Sequence, residues 1–485
     1  MGIVLNQSIR NGLTTVVGFG IGAINTLFLF THLLEKEYFS LVTYLIAVAN
    51  LLWPFIAFGI HNTLIKFFTG YRDKEEQDRF LSMMLVVPGV LATILSILCI
   101  LFKEPILSYF ENDNTIIKPY VWTILILGLS TAYFEIFFAW SKVKLRSVFG
   151  NILKEIFVRL CTALLLLLVY FKMITIHQFI YALVGVYVLR LFIMMGYALT
   201  LHPIKFTVAL PQNYLNVGKY STLILIAGSV ASLLIDLDKV MIERLWFFES
   251  VAEYSLAAYI ASVIVIPSRA MHQITYPLTA QLLNDKNFVG LKQLYKQSSI
   301  NLFTISGLLF ILIICNVQEL YRIIPNEYQL YLWVTIWISF SKLFDNLLGN
   351  NNAILYNSPY YRLVLKTGVL MAVLAGVLNY ICIPLYGIDG AGFATFTAIS
   401  VYNGIKLWIV YWKYRMHPFD KKTWLVLMIV TSLSFGFFYW NFDFNPIINI
   451  GLKSIVIGIF YLIIIFKLKI SNDINLLIKK IPRGA

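Results

Sequence analysis

The sequence predicts an all-α polytopic membrane protein of about fourteen transmembrane helices, arranged as two pseudo-symmetric six-helix lobes plus two C-terminal helices. Three observations carry this. Hydrophobic residues make up 59% of the 485 and charged residues only 13%, about half the charge content of an ordinary soluble domain. Apolar runs of about 20 residues, the length that crosses a hydrocarbon core of roughly 30 Å, recur along nearly the whole chain. Short motifs also repeat at one constant offset.

The first span, about 10–34, has no basic residue before Arg10 and no small-residue cleavage pattern near Leu33 to Tyr38. It therefore reads as a retained helix, not a signal peptide. The second, about 39–65, carries Ser40-Leu41-x-x-Tyr44. Spans at about 80–102 and 119–141 flank the longest outer loop, about 103–118, KEPILSYFENDNTIIK, which is too short for a catalytic domain. Spans at about 151–171 and 178–201 complete an N-lobe over 1–201. The segment 202–218, HPIKFTVALPQNYLNVG, interrupts the apolar pattern with two prolines. It reads as a cytoplasmic inter-lobe linker with a stretch able to lie on the membrane surface. Runs at about 219–242, 253–275, 298–318, 329–350, 363–384 and 390–412 make the C-lobe, 219–412. The last two, about 424–441 and 448–466, fall outside the repeat, within 413–485, which ends in a basic cytoplasmic tail.

The repeat rests on two matches. Ser40-Leu41-x-x-Tyr44 returns as Ser255-Leu256-x-x-Tyr259, and Val186-Tyr187 with His202-Pro203 returns as Val401-Tyr402 with His417-Pro418, both at an offset of 215 residues. Each copy has an even number of spans, so both enter the membrane from the same side and are related by an axis along its normal. Two such bundles can rock about a central cavity, which makes alternating access the natural mechanism.

The formal charge of +14 has a topological explanation. With both termini cytoplasmic, Lys and Arg concentrate in the inner segments, the positive-inside pattern, and nucleic acid is an unneeded partner. Cys99, Cys161, Cys315 and Cys382 lie far apart without a C-x-x-C pair, so they read as small packing hydrophobes, with no metal and no disulfide assigned. The chain has no Walker A pattern, no H-E-x-x-H and no G-x-S-x-G. Transport is favoured over enzymatic chemistry.

The segment Leu378 to Ser400, LNYICIPLYGIDGAGFATFTAIS, resembles a signature of the multidrug, oligosaccharidyl-lipid and polysaccharide (MOP) flippase superfamily, in its polysaccharide-transporter branch. The matching residues are Asn379, Pro384, Gly387-Ile388, Gly390-Ala391 and Ala394-Thr395. Asp238-Lys239 followed by VMIERL and Tyr254 is similar to the family's Asp-Arg/Lys motif ending the seventh span, and Tyr276-Pro277-Leu278-Thr279 to its proline turn ending the eighth. Pro325-Asn326-Glu327-Tyr328 stands where the family often has Phe-Gly-x-x-Tyr, and the missing Gly is a departure. This resemblance implies a flippase, not an enzyme, that moves an undecaprenyl-pyrophosphate-linked oligosaccharide, of the O-antigen or lipopolysaccharide kind, from the cytoplasmic to the outer leaflet of the bacterial inner membrane. With no nucleotide site visible, no cofactor is expected and an H+ or Na+ gradient drives the cycle; the expected partners are membrane lipids and the polymerase or ligase of the same glycan pathway. The alternatives are a peptidoglycan-precursor (lipid II) flippase, a drug or cation exporter of the same superfamily, and a membrane glycan polymerase or ligase.

A pyrophosphate carrier needs a wet, electropositive cavity, and charges inside spans, each costing about 2.5–3.5 kcal/mol on insertion scales, usually face a cavity or a partner. The candidates for the pyrophosphate are Arg269, Arg190, Arg159, Lys342 and Lys406. For Arg159 and Lys406 the alternative is snorkelling to the interface. The candidates for gating or ion coupling are Asp236, Asp238, Lys239, Glu135, Asp345 and His61. Lys342 and Asp345 are three residues apart, so they form a local ion pair or leave Asp345 as an ion site. Asp236 and Lys239 share a helix face in the same way. Asp238 points elsewhere and is a bridge to another helix, a cation site or a solvated helix end. His61 is a proton switch or a packing residue.

Overall fold

The computed structural model describes residues 2–109, 115–442, 444–471 and 473–475. The middle of the outer loop, 110–114, and the end of the predicted basic tail, 476–485, lie outside them. Among the described residues the chain is helices and loops without a strand. Ten helical segments among the described residues are long and apolar enough to cross a membrane. The chain divides into two compact units, Met1–Ala252 and Glu253–Ala485.

The first unit is organised around the helix Val121–Val143, which packs on Lys36–Ala57, Ile60–Phe67 and Ile176–Leu201. Its sequence explains its position. Phe134, Ile136, Phe137, Phe138 and Trp140 are all buried, and Ala132 and Ala139 let neighbours approach closely. Within a bilayer such packing, not the exclusion of water, holds helices together. The lipid-facing opposite is Lys74–Leu101, only 17% buried along its apolar window. Local signals set the helix ends. Thr175 and Gln178 form a reciprocal capping box that starts Ile176–Leu201, and Pro203 follows its last turn.

The predicted second span is broken. Lys36–Ala57 stops at Phe58 and Gly59, both left-handed at φ 49° and 68°, and Ile60–Phe67 continues in a new direction. A Cβ on Gly59 would lie 2.5 Å from the Ser221 carbonyl oxygen, so glycine satisfies both the conformation and the approach of the helix Tyr214–Leu245. Thr63 and Ser221 seal the crossing with a 2.8 Å hydroxyl contact. Although the repeat places Tyr214–Leu245 at the head of the second copy, its backbone packs on Lys36–Ala57 and Ile60–Phe67 in the first unit.

In the second unit Phe288–Tyr321 is central, with Lys421–Phe438, Leu332–Leu347 and Pro446–Lys467 around it. Phe303, Phe310, Ile311, Val426, Ile457 and Tyr461 form the core, and Tyr461 donates its hydroxyl to the Thr304 carbonyl at 2.7 Å. The two helices outside the repeat therefore dock on this one helix. Tyr361–Tyr414 is continuous except at Gly387, where φ 60° and ψ −142° break it. The Gly387-Ile388 pair of the sequence motif is thus a helix junction.

Candidate translocation site

Arg190 is 6% exposed on the helix Ile176–Leu201. Its guanidinium carbon sits 4.2 Å from the Phe134 ring centroid and 4.7 Å from that of Tyr187. Its Nη2 donates to Thr131 Oγ1 at 3.4 Å, and Nε is buried without a partner. Among the described residues no carboxylate lies within ion-pair distance. Two aromatic faces supply about 0.5–2 kcal/mol each, well short of the several kcal/mol that burying a cation costs. Glu135 acts on the guanidinium electrostatically from beyond ion-pair distance.

Glu135, one residue beyond Phe134 on the central helix, is paired. Lys154 Nζ approaches its Oε1 to 2.5 Å, and Lys142, His61 and Arg190 all act on the same carboxylate electrostatically. Lys154 lies in a π-helical turn, Leu153–Phe157, that re-aims side chains within the predicted fifth span. Neither Lys154 nor Lys142 was singled out by the sequence, because both sit near predicted span ends where a lysine ordinarily belongs to the interface. Arg159 turns to its own helix, with Nη1 3.1 Å from Glu155 Oε2 and its guanidinium 5.3 Å from the Phe19 ring. Local pairing therefore accounts for Arg159 better than snorkelling.

His61 follows the Gly59 break. Its ring packs edge-on to Trp53 at 5.2 Å, Nε2 meets Asn62 Nδ2 at 3.0 Å, and Nδ1 is buried without a hydrogen-bond partner. Asp236 accepts from Lys239 at 2.7 Å and from Asn50 at 3.1 Å. The predicted same-face pair is present, and a polar residue of another helix completes it. Asp238 is 3% exposed, which removes the solvated helix end from its alternatives.

In the second unit Lys406 is 2% exposed. Its Nζ donates to Asn352 Oδ1 at 2.9 Å, lies 3.5 Å from Asp345 Oδ1 and stands 4.6 Å above the Tyr402 ring. The snorkelling alternative fails, since the ammonium points into the unit. Asp345 also receives a cation from a different helix, a partner that spacing along one helix could not register. Lys342 is half-buried beside it, and Arg269 is exposed in the first turn of Ile266–Asn284, behind Pro267. Among the described residues no group of three His, Cys, Asp or Glu could hold a metal ion.

The chain matches the family model for polysaccharide biosynthesis proteins over residues 4–283. No curated protein sequence matches it. Among solved structures it resembles the lipid II flippase MurJ in an inward closed conformation, with a TM-score of 0.70 at 14% identity, covering 96% of this chain and 100% of that one. It also resembles a multidrug resistance MATE family transporter of the MOP superfamily. The outward-facing form has a TM-score of 0.58 at 13% identity, covering 88% and 96% of the two chains. The inward-facing form has 0.57 at 13%, covering 89% and 95%. At these identities the likeness speaks for the fold.

Proposed function

The chain belongs to the polysaccharide biosynthesis protein family of the MOP superfamily, and on that premise we propose that it flips an undecaprenyl-pyrophosphate-linked oligosaccharide across the bacterial inner membrane. Arg190 is the observation that carries the reading. A buried guanidinium held between two aromatic faces, with no carboxylate at ion-pair distance among the described residues, is matched by a diphosphate, since the nearby Glu135 is paired with Lys154. Arg159, Arg269, Lys342 and Lys406 are the further candidates for the pyrophosphate. A cation exporter would need the opposite balance.

Movement is by alternating access of the lobes 1–201 and 219–412, a reading supported by the inward- and outward-facing forms of the structural neighbours. Fourteen crossings follow if 147–170, 214–245 and 332–347 span as well, and if Tyr361–Tyr414 crosses twice about Gly387. An even number puts both termini on one side, and the positive-inside pattern makes that side the cytoplasm. Asp236, Asp238 and Lys239 serve as a gate, and Glu135, Asp345 and His61 couple H+ or Na+ to the cycle. The polymerase or ligase of the same glycan pathway takes the product.

A peptidoglycan precursor is the second reading, favoured by the coverage of the MurJ-like fold. Both substrates present a lipid pyrophosphate, so the glycan distinguishes them. The test is transfer of fluorescent lipid-linked glycans across proteoliposomes, under proton and sodium gradients, by the native chain and by Arg190→Ala and Arg269→Ala at matched folding yield. Transfer by the native chain that both variants lose supports the reading. No transfer of any lipid pyrophosphate by the native chain overturns it.

A further inference from the structure

A second polar site lies away from Arg190, where the segment after Leu201 crosses the start of the helix Lys74–Leu101. There Lys74, Glu75, Asp78, Lys205, Phe206 and Thr207 line a cavity of about 340 Å3. Its wall is fixed on both sides. The Thr207 amide donates to Ser82 Oγ at 3.1 Å, the Ala209 amide to Thr207 Oγ1 at 3.2 Å, and Tyr71 donates its hydroxyl to Asn213 Oδ1.

Asp78 is the unusual group. It is 5% exposed, its Oδ1 is buried without a hydrogen-bond partner, and among the described residues it makes no ion pair. Glu75 and Glu76 share one cation, Arg79, at 2.5 and 3.4 Å. Among the described residues the charges of the wall that make no ion pair are one carboxylate, Asp78, and two ammoniums, Lys74 and Lys205. A buried carboxylate in this state costs several kcal/mol and calls for a cationic donor.

The chemistry of the ligand follows by elimination. A lone anion would face Asp78, and a polyamine would face two lysines. A bare metal ion would leave most of the cavity empty, and no group of three metal-ligating residues lies among the described residues. What fits is a ligand carrying both signs close together. The adjoining linker names its source. Residues 203–211 have no helical structure, and Phe206, Val208 and Leu210 are 63%, 93% and 51% exposed. Alternate residues of an extended segment share a face, so this apolar row suits the acyl-chain boundary of a leaflet.

We propose that this cavity binds the zwitterionic headgroup of a phosphatidylethanolamine, Asp78 taking the ammonium and Lys74 and Lys205 the phosphate. The bound lipid pins the linker against Lys74–Leu101. The site is separate from the flipped substrate, and its test does not use transport.

Purified full-length protein in a neutral detergent is titrated with short-chain phosphatidylethanolamine, short-chain phosphatidylglycerol and soluble glycerophosphoethanolamine. Thermal unfolding and native mass spectrometry give the Kd of each. Phosphatidylethanolamine raises the Tm of the native chain with concentration, and binds about tenfold or more tightly than phosphatidylglycerol. Asp78→Asn, which keeps the shape, loses that preference, a weakening on the order of tenfold or more. Lys205→Gln, on the exposed linker, weakens both lipids and covers a folding failure of the first variant. Equal Kd values for the two lipids in the native chain, or unchanged phosphatidylethanolamine binding by either variant, overturns the proposal. Glycerophosphoethanolamine binding as tightly as the lipid supports the headgroup chemistry and overturns the membrane as its source.

Discussion

Arg190 and Lys406 stand at corresponding places in the two repeats, three residues after Tyr187 and four after Tyr402. Each holds its charge at a similar distance from that tyrosine's ring, 4.7 and 4.6 Å. Steps of three and four residues return to the same helix face, and both cations are buried, at 6% and 2% exposure. Their compensation differs. Lys406 has Asp345 and Asn352. Arg190 has a hydroxyl and two rings, and the nearby carboxylate, Glu135, is taken by Lys154. One framework, duplicated, thus holds one cation beside a carboxylate and an amide and another between two rings and a hydroxyl, and the second is the one proposed to meet a ligand.

Transport by Arg190→Ala, followed with the fluorescent lipid-linked glycan, is expected to fall on the order of tenfold or more, while the folded fraction is unchanged or higher because no partner charge is stranded. A loss of folding with retained specific transport would break the comparison. At Lys406 the order reverses. Lys406→Met leaves Asp345 without its cation and lowers stability by about 1–3 kcal/mol, toward the low side because the Asp345 side chain is 39% exposed. Adding Asp345→Asn recovers most of that loss in thermal unfolding. A double variant no more stable than the single one would mean that the pair is not the unit of stability.

Lys154→Met tests the neighbouring pair. Glu135, 10% exposed at the side chain, is left with more distant cations, and a loss of about 1–2 kcal/mol is expected, smaller than in a variant that removes every positive neighbour. Glu135→Gln in the same background restores the Tm. The smallest effect concerns His202, at the end of the first copy's motif. Burial, and then Lys144, hold its pKa below the usual histidine value, so it is neutral in the fold and protonates more readily when unfolded. Its contribution to stability is full above the unfolded pKa and is lost as pH falls through the folded one. Between pH 7.5 and 5.5 the Tm of the native chain should therefore fall more than that of His202→Phe, whose ring keeps the contacts to Phe68 and Trp140.

Much of this was legible in the sequence because it is written in local pattern. Apolar length gave the membrane class, and Gly387 of the family motif falls at a helix junction. Asp236 and Lys239 are partners because three residues on a helix bring them together. Residues whose partners come from other helices were harder. Lys406 read equally well as an interfacial anchor, and Lys154 drew no attention, since a lysine near a span end looks the same whether it snorkels or turns inward. The break at Gly59, the π-helical turn at Lys154 and the orphaned Asp78 carboxylate carried no signal of their own.

The sequence by itself determined what depends on one helix at a time: composition, span length, the duplicated motifs and the family they mark. Only the tertiary structure decided which buried charge is satisfied and which is not. Compensation of a charge in a medium of low dielectric depends on the few ångströms that separate it from groups on other elements, and those distances are set by packing.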